Sequence, residues 1–177
     1  MDIKGTTIVA VRRDGKTVIG GDSQATLGDM IFKNDVIKVR KIYGGKIIVG
    51  FAGTVSDAFT LFRKVEEFLN KYSGNLNRTV AEVAKIYQSG NGIAKLDAVL
   101  IIASKDAMFL IMGDGNVVSP TVDYVSIGSG SNFALGAADA LYNNTNLSAK
   151  EIVEKSLKVA SEYCIYTNDR YHIEEVE

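Results

Sequence analysis

A threonine hydroxyl becomes a nucleophile only when a base takes its proton, and one stretch of this chain could let a single residue do both jobs. Gly5-Thr6-Thr7 runs straight into a β-branched, apolar segment. If the Gly5–Thr6 bond were cut, Thr6 would carry its hydroxyl and a free α-amine. Such an amine has an ordinary pKa of about 7.7 to 8.0, so much of it is a neutral base at physiological pH. The site needs three further parts: a lysine that depresses the amine's pKa by like-charge repulsion, a carboxylate that holds the lysine, and a backbone N–H for the oxyanion. Asp22, Lys38 and Gly50 are the candidates. Taken singly, Thr6 reads equally well as a strand residue, Asp22 as a turn residue, Lys38 as a solvated charge and Gly50 as a packing glycine. Their combination is what points to a nucleophilic hydrolase. Met1 to Gly5 would then be a leader that must be removed, and the uncut chain should be inactive.

Other chemistries find less support. The one histidine, His172, lies in an acidic tail without a Gly-x-Ser-x-Gly elbow, and reads as an exposed strand residue. With one cysteine, Cys164, the chain makes no internal disulfide and no Cys-based zinc site. Gly128-Ser129-Gly130 follows a strand and precedes a helix, but Phe133 stands where a dinucleotide fingerprint needs its third glycine. What remains there is Ser129, a hydroxyl at a strand-to-helix junction that could point into a cleft.

The elements that must position these groups fit one domain. The 177 residues are 46% hydrophobic and 23% charged, with 20 basic and 21 acidic side chains. That is enough chain to bury roughly 70% of its unfolded surface in one core. A net charge of −1, with Arg12-Arg13 and Lys38 to Lys41 the only dense basic spots, argues against an electrostatic grip on nucleic acid. No apolar run reaches the ~18 residues of a membrane span, and Met1 to Gly5 lack a secretory signal's apolar stretch, so a soluble cytoplasmic protein is expected.

Thr7–Arg12 and Thr17–Gly21 are apolar on both faces and flank Asp14-Gly15, which predicts a buried hairpin. Val39–Tyr43 and Lys46–Phe51 form a second strand pair. From Val55 the apolar spacing turns helical behind a Thr54/Asp57 capping box, and Gly74 closes that helix. A shorter helix opens at Thr79/Glu82. Strands return at Asp97–Ser104, Ala107–Met112, Val117–Val118 and Tyr124–Gly128. Helices follow over Ser131–Tyr142 and from Ser148, where Ser148 and Glu151 form a capping box, before a last strand at Tyr171–Val176. Grouped hairpins with grouped helices predict an α+β domain of two antiparallel sheets packed face to face, with helices outside each.

At this point several segments resemble one family. TTIVAVRR from Thr6, GDSQATLG from Gly21, KVR from Lys38, GFAG from Gly50, DAFTLF from Asp57, IGSG from Ile127, LSAKEI from Leu147 and CIYTN from Cys164 resemble HslV, also called ClpQ. These are the peptidase subunits of bacterial ATP-dependent HslUV proteases and relatives of proteasome β-subunits. The resemblance runs from Thr6 to Val176 in one register.

It implies an N-terminal-nucleophile hydrolase of αββα fold over residues 6–177, a threonine endopeptidase that cleaves peptide bonds through a processed terminal threonine. By matching motif it assigns Thr6 as nucleophile and base, Lys38 as the pKa-setting partner, Asp22 as its carboxylate, Gly50 as oxyanion donor and Ser129 as a supporting hydroxyl. It implies a sodium ion held by the backbone carbonyls of Ser161, Cys164 and Thr167, with no cofactor for catalysis. It also implies a homo-oligomer of two stacked hexameric rings. The partner would be a hexameric AAA+ ATPase of HslU type, which alone uses ATP and feeds in unfolded polypeptide. Two departures stand out. Ser23 replaces the family's usual glycine, and IYQSGNGIAK from Ile86 to Lys95 replaces an arginine-rich stretch that carries a tryptophan. Two alternatives remain at this stage: a catalytically silent ring or scaffold subunit, and an amidase of the same nucleophile class acting on a small amide.

Overall fold

The computed structural model describes residues 3–89 and 95–177. Side chains that alternate between two dry surfaces account for its layers. Along β2 (Thr7–Arg13), Ile8 and Ala10 point into one apolar cluster and Val9 and Val11 into another, all four fully buried. In β7 (Ile47–Gly53) and β8 (Ala98–Ala103), Ile48, Ala52, Ile101 and Ala103 join Ile8 and Ala10, while Val49, Phe51, Leu100 and Ile102 face the other way. A strand apolar on both faces must be covered on both, and that demands four layers.

The five-stranded antiparallel sheet runs β10 (Val117–Val118), β9 (Met108–Met112), β8, β7, β6 (Val39–Ile42). The four-stranded one runs β11 (Tyr124–Gly128), β2, β3 (Lys16–Asp22), β12 (Tyr171–Val176). Helices α1 (Val55–Lys71) and α2 (Leu76–Gln88) cover the first through Leu61, Val65, Leu69 and Val83. Helices α3 (Ser131–Asn144) and α4 (Ala149–Tyr163) cover the second through Ala134, Ala138, Ile152 and Leu157. Each fully buried Leu or Ile contributes about 1.5–3 kcal/mol. The expected αββα sandwich is therefore present.

Local signals held unevenly. Asp14 and Gly15 both take positive φ, 53° and 76°, as a tight turn between twisted strands requires. Ser148 and Glu151 make the reciprocal capping box of α4. The second helix opens earlier than expected, because Asn75 caps it by accepting from the Arg78 amide. Thr54 makes no side-chain cap, and Asp57 instead accepts the amide of Asp97 at 2.8 Å. His172 is half-buried on β12, with Nε2 3.1 Å from Glu174 Oε1. Of the altered Ile86–Lys95 stretch, α2 continues to Gln88; residues 90–94 lie outside the described residues.

A third, three-stranded sheet was not anticipated: β1 (Ile3–Lys4), β4 (Ala25–Leu27) and β5 (Met30–Lys33). Its strands are short, and every residue of β5 is exposed, so no buried period marks it. Among the described residues no helix is long and apolar enough to cross a membrane.

Candidate active site

Thr6 sits between β1 and β2, 8% exposed. Two features of the chain fix it there. The amide of Ser129, just past β11, donates to the Thr6 carbonyl at 2.7 Å. Gly128, at φ +97°, lets that strand approach so closely that a Cβ would stand 2.1 Å from the Thr6 oxygen. The amide of Gly130 donates to Thr7 Oγ1 at 3.1 Å, so two of the three amides of the Gly-Ser-Gly turn are spent on the head of β2 and not held for a phosphate.

The end of β3 and the start of β6 bring the charges. Asp22 is fully buried and Lys38 is 3% exposed, with Nζ 2.9 Å from Oδ1. The same Oδ1 accepts the Thr7 amide at 2.7 Å, and Oδ2 accepts the Gln24 amide at 2.9 Å. Lys38 also donates to the Gln24 carbonyl and, at 2.6 Å, to the carbonyl of Gly5. Its three ammonium protons are thus all engaged. Burial holds the Lys38 pKa below its ordinary 10.5, outweighing the pull of Asp22 in the other direction. Thr6 Oγ1 reaches the same Gly5 oxygen at 2.5 Å. Gly5 takes φ +121°, and a Cβ there would meet Thr26 Oγ1 at 2.9 Å, so this bond presses into the cluster only because its acyl residue has no side chain.

Gly50 is placed elsewhere. It lies within β7 with its α-carbon toward the opposing sheet, where a Cβ would come 2.6 Å from Ile8 Cγ2. Successive amides along a strand point to opposite edges. Phe51 donates toward β6, to the Lys38 carbonyl, and Thr54 donates toward β8, to the Asp97 carbonyl. The Gly50 amide therefore points to β8, where Gly50 pairs with Ile101. The Gly53 amide points the other way, and Gly53 lines a cavity of about 260 Å³ together with Thr6, Thr54, Asp97 and Ser129.

Ser129 likewise lines the cavity that exposes Thr6. Ser161 and Cys164 end α4, and Thr167 follows in the turn beyond. The Cys164 carbonyl accepts the Thr167 amide at 3.0 Å, while no described hydrogen bond uses the carbonyls of Ser161 or Thr167. Neutral oxygens at a helix C-terminus suit a hard monovalent cation. Thr167 Oγ1 meets Thr7 Oγ1 at 2.7 Å, which ties this turn to the head of β2.

Sequence reasoning missed Gln24 and Asn168 as supports. Gln24 bonds the Ile165 carbonyl, and Asn168 Oδ1 accepts the Ser23 amide at 3.0 Å. Both stand inside the motif stretches GDSQATLG and CIYTN, which is where a signal could have been read.

Comparison with known proteins agrees with this geometry. The pattern of the family described as "Proteasome subunit" covers residues 3–176. The "ATP-dependent protease subunit HslV" of Aquifex aeolicus is 49% identical over 176 residues, spanning 99% of this chain and 100% of that protein. The protein of the same name from Sulfurihydrogenibium is 49% identical over 175 residues, covering 99% and 98%. Among solved structures, eukaryotic HslV from Trypanosoma brucei superposes with a TM-score of 0.89 at 34% identity, over 97% of this chain and 99% of the other. With its four layers, its buried Lys38–Asp22 pair beside Thr6 and these full-length likenesses, the chain belongs to the proteasome subunit family.

Proposed function

We propose that this chain is the threonine endopeptidase subunit of an HslV-type ATP-dependent protease, active once Met1 to Gly5 are removed. The observation that carries the reading is the placing of the Gly5–Thr6 peptide. Its carbonyl oxygen accepts from Lys38 Nζ at 2.6 Å and lies 2.5 Å from Thr6 Oγ1, so the bond to be cut already rests among the groups that would cut one. Loss of the leader frees the Thr6 amine and returns one proton of Lys38 to the site.

In the proposed cycle, Thr6 Oγ1 attacks a substrate carbonyl carbon as its proton passes to the Thr6 amine. The Lys38 charge keeps that amine's pKa low, and Asp22 holds Lys38 in place. The oxyanion takes a hydrogen bond from a backbone amide. We assign this role to Gly53, whose N–H faces the Thr6 side, in place of Gly50. Ser129 supports the site with its hydroxyl. The C–N bond then breaks, the departing amine takes the proton back, and water hydrolyses the ester left on Thr6. The acyl part of a substrate would lie along β4, the track the leader follows through Ile3–Leu27 and Lys4–Thr26 pairing.

A sodium ion would be held by the carbonyls of Ser161, Cys164 and Thr167; it would stiffen the turn behind Thr7 and enter no chemical step. The assembly would be two stacked hexameric rings in the cytoplasm, served by a hexameric AAA+ ATPase that supplies unfolded polypeptide. Met30, Ile31 and Phe32, 57%, 58% and 60% exposed, and Ile165, 81% exposed, support burial between copies.

Peptide turnover with and without the partner ATPase tests the reading. Processed protein should hydrolyse peptides faster with the ATPase present, and Thr6→Ala should fold but show none. Near-wild-type turnover by Thr6→Ala would remove the mechanism.

A further inference from the structure

We propose that Asp97 selects substrates with a cationic side chain just beyond the cleaved bond; this rests on the peptidase reading above. The acyl side of the site is accounted for by β4, whose residues take no part in the cavity at Thr6. Beyond Thr6 the chain itself runs into the buried β2, a path closed to any substrate. A substrate's leaving segment must therefore turn away from Asp22, Lys38 and Gln24, which fill one side, into the open cavity on the other. That cavity is walled by Gly53 and Thr54, by Asp97 to Val99, and by Gly128 and Ser129.

Among the described residues, Asp97 is the one charged member of this wall. Its main chain is pinned on both sides: its amide donates to Asp57 Oδ2 at 2.8 Å, and its carbonyl accepts the Thr54 amide at 2.8 Å. A Cβ on Gly53 would stand 2.2 Å from that same carbonyl, so Asp97 is locked directly against the glycine proposed as oxyanion donor. Its side chain is exposed and makes no hydrogen bond or ion pair among the described residues. An unneutralised carboxylate carried on a pinned main chain where the leaving segment passes attracts Lys or Arg there and repels Asp or Glu.

The test uses internally quenched peptides that share every residue but the first after the cleaved bond, which is Lys, Gln or Glu. The processed protein, assembled with its ATPase, is the enzyme, and mass spectrometry fixes the bond cut. Wild type should cleave the Lys peptide roughly threefold to fivefold more efficiently than the Glu peptide, the range of an exposed charge pair. Raised salt should compress that ratio. Asp97→Asn should bring it close to one, Asp97→Lys should invert it, and Asp97→Glu should restore it; a merely structural role would move none of these in that pattern. A wild-type ratio that survives Asp97→Lys overturns the inference. Failure to cleave all three peptides overturns the peptidase reading itself and this inference with it.

Discussion

Two lysine–carboxylate pairs in this molecule have similar lengths and opposite characters. Lys38 and Asp22 meet at 2.9 Å with side chains 3% and 0% exposed; Lys16 and Glu177 meet at 2.6 Å with side chains 47% and 66% exposed. Glu177 raises the Lys16 pKa by hydrogen bond and charge, in water, where desolvation is slight. Burial lowers the Lys38 pKa although its partner is as close. Solvent and not distance decides which way a lysine titrates, and the dry pair is the one beside Thr6. A lysine whose charge is costly to keep is suited to biasing a neighbouring amine, whereas a solvated pair does little for stability or chemistry.

The contrast breaks most sharply at Lys38. Lys38→Ala should reduce peptide hydrolysis by about 10²- to 10⁴-fold, because the Thr6 amine would hold its proton to higher pH. The pH–rate profile should shift alkaline, and an unshifted profile would contradict the role given to Lys38. Asp22→Asn comes next. It leaves a buried ammonium without its counter-charge, and denaturant melts should show a loss of about 3 kcal/mol.

Packing gives a smaller effect. Gly50→Ala should cost about 1–3 kcal/mol through its clash with Ile8, measured by thermal melts, with the pH–rate profile unchanged if the Gly50 amide serves only the sheet. Smallest is Lys16→Ala, whose melting temperature should match wild type within error. The two pairs should also differ in sign with pH. A Lys38 pKa below 10.5 means that the folded state loses this proton first, so its contribution to stability rises as pH climbs toward 10.5. The Lys16 pKa is raised, so its contribution is full below 10.5 and is lost as pH rises through the higher folded value. Melts of wild type and Lys38→Ala between pH 8 and 10.5 check the first slope, which only the wild type should show.

Much of this was legible in the sequence, for identifiable reasons. The core strands are apolar on both faces, and a run such as IIVGF from Ile47 has few ways to be satisfied except between two layers. Thr6, Asp22 and Lys38 announced themselves by chemistry, since an N-terminal nucleophile needs those types near one another. Gly50 and Gly53 are where the reading was less sharp. Both stand in one glycine-containing strand end, and only the alternation of amides between β6 and β8 separates the packing glycine from the one facing Thr6. The β1–β4–β5 sheet was invisible because its pairing depends on Gly5 bringing the leader alongside Thr26, a long-range contact that leaves no periodic trace. Asn75, a single polar residue ahead of the second helix, outcompeted the Thr79/Glu82 signal because its side chain reaches the Arg78 amide directly.

Thr6 is proposed to work only after it has become the chain's amino terminus. Intact-mass measurement on preparations that hydrolyse peptides tests this most directly. Active protein should show a mass reduced by the five residues Met1 to Gly5, with Thr6→Ala keeping them. Full turnover from protein whose mass still includes the leader would contradict it.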